Sequence, residues 1–273
     1  MIQAHKILGK FLSINEQETH AVIWSFFYFF FLLSSYYILQ PIRDEMGLLI
    51  GKEYLPSLFR WSLLVMIVIS PIFSILVTKL PRKKFIPLVY HFFLANLLLF
   101  FLGFKFYSEL FQVELAKSYF LWVSVFNLFA VSIFWGFMSD IFSSNQGKRL
   151  FGFIGAGGTL GQIFGSSFTT IIVHIIGNTN LLLVSAIFLE LSVFCMLKVG
   201  KNLKDKETNK KIKLKSEEES SSIWDGISSV LKSKYLLSIC GFMFLYTFTS
   251  TFLYFEKQSI VSDQILCPYG SLA

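Results

Sequence analysis

Three charged residues stand in line at Arg43-Asp44-Glu45, at the end of a stretch from Val22 to Ile42 that carries no charge. An arginine there is suited to bidentate contact with a phosphate or carboxylate. It can also pair internally with Asp44, which lowers the cost of holding both groups near lipid. Asp44 and Glu45 would then orient an anion or gate its release. Pro41 lies just ahead and is expected to bend or end the helix, and a broken helix facing a cavity is how many transporters build a binding site. The competing reading is flanking charge at a membrane surface, and residue types alone leave the two level.

Other polar residues sit inside apolar surroundings. Glu190 interrupts the run Leu181–Leu197 near its middle, where a charge costs about 2.5–3.5 kcal/mol on insertion scales. It is expected to be protonated, to face a cavity, or to make a polar contact with Ser185 or Ser192. Gly147-Lys148-Arg149 opens another apolar run. It reads either as positive anchoring on the inner side of a membrane or as phosphate attraction beside the free amides of a helix start. Asn127 and Trp135 are candidates to line a substrate path, with helix-to-helix bonding the plainer role for Asn127. Asn96, His91 and His174 are expected to make structural polar contacts.

The stretch Gly152–Ser166, GFIGAGGTLGQIFGS, invites a nucleotide-loop reading that its spacing refutes. A dinucleotide fingerprint begun at Gly155 and Gly157 needs a third glycine where Leu160 stands, and no GKS or GKT follows. The same stretch holds Gly157, Gly161 and Gly165 at intervals of four. On a helix that is one stripe of small residues, which lets a neighbouring helix approach closely.

These residues must be positioned by membrane helices. The chain of 273 residues is 54% hydrophobic and only 15% charged, against about 25% charged in an ordinary soluble domain. A water-soluble fold of this size has too little polar surface to cover itself. Apolar runs at Val22–Ile42, Trp61–Thr78, Phe85–Phe104, Ser118–Ser139, Leu150–Ile176, Leu181–Leu197 and Tyr235–Phe255 are long enough for helical spans of roughly 20 residues. Gly177-Asn178-Thr179-Asn180 reads as a tight turn between the fifth and sixth. The first span has acidic residues before it and no small-residue cleavage pattern after it, so it is not read as a cleaved signal. The fold class expected is all-α and polytopic, with about seven transmembrane helices. The 33 phenylalanines are expected to be lipid-facing bulk rather than a stacking platform for bases.

With the amino terminus placed in the cytoplasm, eighteen of the 24 lysines and arginines fall inside and six outside, as the positive-inside bias requires. That topology accounts for the net charge of +7 without nucleic acid as a partner; anionic headgroups of the lipid bilayer suffice. Cys195, Cys240 and Cys267 have neither metal-ligand spacing nor a disulfide pattern, so they are read as packing residues. No catalytic dyad, metal cluster or phosphate loop emerges. The protein is not read as an enzyme and no cofactor is expected.

Organisation divides the chain into a cytoplasmic segment at 1–21, a six-helix bundle at 22–199, a charged linker at 200–222, and a final part at 223–273. That last part is read as an amphipathic segment at Ile223–Leu231, a seventh span and a short outer tail. Six helices, a long loop and another helix match the layout of the major facilitator class, two six-helix halves joined centrally. Such a chain stops after the first helix of its second half. It is read as truncated or a fragment, the alternative being a seven-span protein that mimics half a transporter.

The segments SYYILQPIRDEMG, ending at Gly47, and Trp122–Ser166 together resemble the bacterial branch of the nucleotide translocase family, the NTP/NDP exchange or ATP/ADP translocase-like transporters of major facilitator architecture. The resemblance covers roughly residues 20–260. It implies exchange of nucleotides or related phosphorylated anions across a bacterial inner membrane by alternating access, with the second six-helix half missing here. It also implies that a cation late in span one helps bind phosphate, a role carried over to Arg43. Two departures touch substrate choice: Gln40 stands where many relatives carry Arg, and Phe120, before Leu121-Trp122, stands where ATP/ADP translocases carry an acidic residue. The rival functions are carriage of another organic anion, or a non-transporting remnant or partner subunit.

Overall fold

The computed structural model describes residues 16–79, 82–106, 109–201, 228 and 230–270. Seven helices among them are long and apolar enough to cross a membrane, and no strand occurs among the described residues. The chain is therefore an all-α, multi-pass membrane protein. Helices satisfy every backbone amide within the segment itself, which lipid demands.

The helices are α1 (Glu16–Ile50), α2 (Leu55–Lys79), α3 (Arg82–Phe106), α4 (Glu109–Ile141), α5 (Ser144–Ile176), α6 (Asn178–Lys201) and α7 (Lys234–Gly270), with a single 3₁₀ turn at Lys52–Tyr54 between α1 and α2. The chain divides into two compact units, Met1–Asp205 and Lys206–Ala273. The first holds α1 to α6; the second holds α7. The expected linker lies outside the described residues from position 202 onward. So does the expected surface segment Ile223–Leu231, apart from Ser228, Val230 and Leu231, and so does the Cys267 side chain. α7 continues to Gly270 rather than ending near Phe255.

In the first unit α1 is the hub. It packs most extensively against α5 and α6, with α4 on a third side, while α3 lies on α6 and α4 and α2 lies on α4. The sequence reason is that α1 is apolar around most of its circumference, the mark of a helix surrounded by protein. Val22, Tyr28, Leu32, Ile38 and Leu39 are all fully buried. Pro41 does not end this helix, one of the two outcomes expected of it: α1 continues through it to Ile50. The neighbours Leu39 and Ile42 are buried against the bundle, which keeps the chain helical across a residue that removes one backbone hydrogen bond.

The glycine stripe explains the α1–α5 contact. A Cβ at Gly157, Gly161 or Gly165 would lie 2.5, 2.3 and 2.8 Å from the carbonyl oxygens of Phe26, Phe30 and Ser34 respectively. Both series climb by four, so the helices run parallel with backbones almost in contact. The Ser34 hydroxyl seals the seam by donating to the Phe30 carbonyl (2.8 Å) and the Gly161 carbonyl (3.2 Å). Opposite, α6 is held by a reciprocal serine pair. Ser35 Oγ donates to the Ser185 carbonyl (3.0 Å) and Ser185 Oγ to the Ser35 carbonyl (2.9 Å).

The α1–α3–α4 junction is aromatic. Phe29 stacks on Phe134 with centroids 4.0 Å apart. The Tyr28 hydroxyl donates to Tyr90 (2.6 Å), which donates on to the Ala130 carbonyl (3.4 Å). Aromatic contacts add roughly 0.5–1.5 kcal/mol each beyond area burial. Phenylalanine is thus not only lipid-facing bulk: Phe29, Phe93, Phe126, Phe134 and Phe137 are core residues, whereas Phe92 and Phe106 are exposed. Cys195 packs in the same core, while Cys240 is exposed on α7.

Candidate anion site at the end of α1

Arg43 sits on the last turns of α1, half-buried, with its guanidinium carbon 4.1 Å from the centroid of the Phe120 ring on α4 and 5.6 Å from that of Phe59 on α2. Its Nε–H is fully buried and has no acceptor. The Tyr36 and Tyr119 hydroxyls lie within electrostatic reach, and Tyr119 donates to the Leu39 carbonyl at 3.3 Å. The chain converges here because α1 and α4 run antiparallel, which brings the start of the α4 span against the end of α1. Gly47 tightens the same contact: a Cβ there would stand 2.9 Å from Leu55 and 3.2 Å from Phe120.

The internal ion pair expected between Arg43 and Asp44 is not formed. Ion pairs among the described residues join Arg149 to Glu18, His91 to Glu190 and Lys117 to Glu114. The Arg43 cation rests instead on aromatic faces, which attract it through their quadrupoles, and no carboxylate among the described residues pairs with it. Asp44 is half-buried. Glu45 is exposed and accepts from Asn178 Nδ2 at the start of α6, so it ties α1 to the α5–α6 corner rather than orienting anything at Arg43. That corner is tighter than the expected four-residue turn, reduced to Gly177 alone at φ 77°.

Lys148 and Arg149 belong to the opposite end of the bundle. Glu18 and Arg43 are 25 positions apart on α1, about 37 Å at 1.5 Å per residue, and Arg149 is at Glu18. Arg149 Nη2 lies 3.4 Å from both Glu18 carboxylate oxygens; the Glu18 side chain is 8% exposed and the Arg149 side chain 37%. Gln146 Nε2 donates to Glu18 Oε1 at 2.6 Å, while its Oε1 accepts from the Ser143 amide at 2.9 Å. This network caps α5 and ties it to α1. Lys148 is exposed beside it.

The remaining candidates are dispersed. Asn127, half-buried midway along α4, bonds no other helix among the described residues. Trp135 packs edge-on against Phe29 and Phe151 at 5.5 Å each, a packing role nearer the Arg149 end. Glu190 does not contact Ser185, which bonds Ser35, or Ser192, which donates to the Leu189 carbonyl (2.6 Å). It faces His91 on α3, Oε2 to Nε2 at 3.7 Å. Asn96 bonds only its own helix, at the Phe92 carbonyl, and His174 is exposed. The predicted residues thus form two separate clusters and an outlying pair, not one site.

Sequence reasoning missed the aromatic partners of Arg43 and the partner of Arg149. Phe120 was visible only as a departure from the pattern of the resembled family. The structure puts that very side chain against the cation it would neutralise were it acidic.

A cavity of about 410 Å³ opens at the Arg43 end, lined by Ile42, Met46, Phe104, Gln112, Asn178 and Leu182; Arg43 does not line it. No group of three or more His, Cys, Asp or Glu side chains among the described residues could hold a metal ion. No family model, curated protein or solved structure matches the chain.

Proposed function

We propose that this chain is part of a membrane transporter for nucleotides or related phosphorylated anions, working by exchange and alternating access in the major facilitator manner. The observation that carries the reading is Arg43: an arginine on the central helix, stacked on Phe120, with a buried Nε–H and no carboxylate partner among the described residues. An uncompensated cation in a low-dielectric setting draws anions more strongly than a paired one, and a planar guanidinium offers a fork of donors that matches phosphate oxygens. The motif resemblance supplies the substrate class. The basic residues at the Glu18 end support a cytoplasmic amino terminus in a bacterial inner membrane.

The test is equilibrium binding of radiolabelled ATP and ADP to the purified chain in lipid nanodiscs, with Arg43→Ala alongside. The expected result is saturable binding that weakens at least about tenfold in the variant, a loss of about 1.4 kcal/mol. Equal binding by both proteins overturns the role of Arg43. Competition by a panel of phosphorylated and carboxylated anions separates nucleotide carriage from carriage of another organic anion.

A further inference from the structure

His91 and Glu190 form a pair where a charge is least welcome. His91 is the seventh residue of the span Phe85–Phe106, and Glu190 lies ten residues before the end of Asn178–Gly200. At 1.5 Å per residue they sit roughly 9 and 15 Å inside their spans. Their side chains are 51% and 54% exposed, so they look outward from the bundle rather than into its core. The neighbours on α6 show the division: Ser185, Leu189 and Ser192 are buried while Glu190 and Leu191 are not.

The protonation pattern follows from one further contact. His91 Nδ1 lies 2.6 Å from the Pro87 carbonyl oxygen. A carbonyl only accepts, so Nδ1 carries the hydrogen, and Nε2 is left facing the Glu190 carboxyl at 3.7 Å. A small rotation of either exposed side chain closes that gap to hydrogen-bond length.

Few other groups compete for the proton. Within the apolar runs, α1 offers only Tyr28, Tyr36 and Tyr37, α3 only Tyr90, α4 only Tyr119, and α6 only Cys195, while α2 and the α5 run offer none before His174. Tyr28 and Tyr90 are engaged with each other. Lys198, two turns along α6, lies over the Phe194 ring at 5.1 Å.

We propose that His91 and Glu190 are a one-proton binding site on the membrane-facing surface of α3 and α6, with the proton held on the Glu190 carboxyl and donated to His91 Nε2. One shared proton makes the pair electrically neutral. Neutrality removes the cost of a bare carboxylate at that depth. Such a site is also a target for modification: a membrane-soluble carbodiimide adds the protonated carboxyl across its C=N bond, giving an O-acylisourea that rearranges to a stable N-acylurea.

The experiment is carbodiimide labelling of the full chain in lipid vesicles at neutral pH, read by peptide mass spectrometry. Glu190 is expected to be labelled in the unaltered chain, and Glu190→Gln to remove that adduct. His91→Phe is expected to slow labelling about tenfold, the worth of one hydrogen bond to an ionisable group. An unlabelled Glu190, or a rate indifferent to His91→Phe, overturns the proposal. If His91→Phe does not fold, the infrared carboxylic-acid band at neutral pH decides: its presence in the unaltered chain and loss in Glu190→Gln supports the site, and its absence from the unaltered chain overturns it.

Discussion

The guanidinium carbon of Arg43 lies over the Phe120 ring, 4.1 Å from its centroid, although 77 positions separate them in the chain. This contact fixes the cation without cancelling it. Phe120→Glu places a carboxylate where the ring was and converts a free charge into an ion pair. The expected result is loss of nucleotide binding comparable to that of Arg43→Ala. Arg43→Lys keeps the charge but loses the guanidinium's contact with the ring, worth roughly 0.5–2 kcal/mol, and is expected to fall between the unaltered chain and Arg43→Ala. Binding isotherms of the three variants at low and high salt check the order.

Gly161 faces the Phe30 carbonyl so closely that a Cβ has no room, whereas Gly155 on the same helix has nothing within 4 Å. Gly161→Ala is expected to lower stability by about 1–3 kcal/mol, the usual cost of overpacking. Gly155→Ala is expected to be neutral or slightly stabilising because alanine is the better helix former. Thermal unfolding in one detergent compares them directly.

The Ser35–Ser185 pair lends itself to a double-mutant cycle. Each hydroxyl donates to the other residue's carbonyl, and the two Oγ atoms lie 2.9 Å apart, a contact that either substitution removes. The coupling energy from Ser35→Ala, Ser185→Ala and the double variant is expected near 0.6 kcal/mol and below about 1.7 kcal/mol, the range for hydrogen bonds between membrane helices. Strict additivity would show that the two bonds act independently.

Glu18 accepts from both Gln146 and Arg149 while nearly buried. Glu18→Gln keeps an acceptor for Gln146, whereas Glu18→Ala removes the α1 acceptor from Gln146 and Arg149 alike. The alanine variant is expected to cost about 1–3 kcal/mol, with the glutamine variant losing less. Chemical denaturation in mixed micelles measures the difference.

Topology is testable with single cysteines in a background where Cys195, Cys240 and Cys267 are all replaced, Cys195 by alanine because it is buried and the other two by serine. Lys148→Cys, in the first turn of α5, and Asn180→Cys, in the first turn of α6, lie at opposite ends of the bundle and at exposed positions. A membrane-impermeant maleimide is expected to reach the first only in inverted vesicles and the second only in intact cells. The reverse pattern would invert the proposed orientation.

The spans were legible in the sequence because lipid imposes length and apolarity one helix at a time. Arg43 and Glu190 were legible for the same reason, as charges set where apolar runs put a cost on them. What surrounds them was not. Among 33 phenylalanines nothing marks Phe120 and Phe59 as the two that meet Arg43. The partner of Glu190 depends on which face α6 turns toward α3, a tertiary fact. Pro41 misled because its local preference for a break is overridden by the burial of Leu39 and Ile42 on either side of it. The glycine stripe announced close packing, but only the structure shows that its mate is the backbone of Phe26, Phe30 and Ser34.

The bond between Ser35 and Ser185 spans 150 positions, and that separation sets a schedule. A ribosome adding about 5–20 residues per second needs roughly 8–30 s to make the intervening chain. Throughout that interval the first helix is already born but lacks the two neighbours that complete its flanks. Its bare carbonyl track and unpaired hydroxyls must wait in the insertion machinery or in a provisional docking with later arrivals. Biogenesis of this protein is therefore governed by the shelter given to its earliest segment until its latest bundle partners emerge.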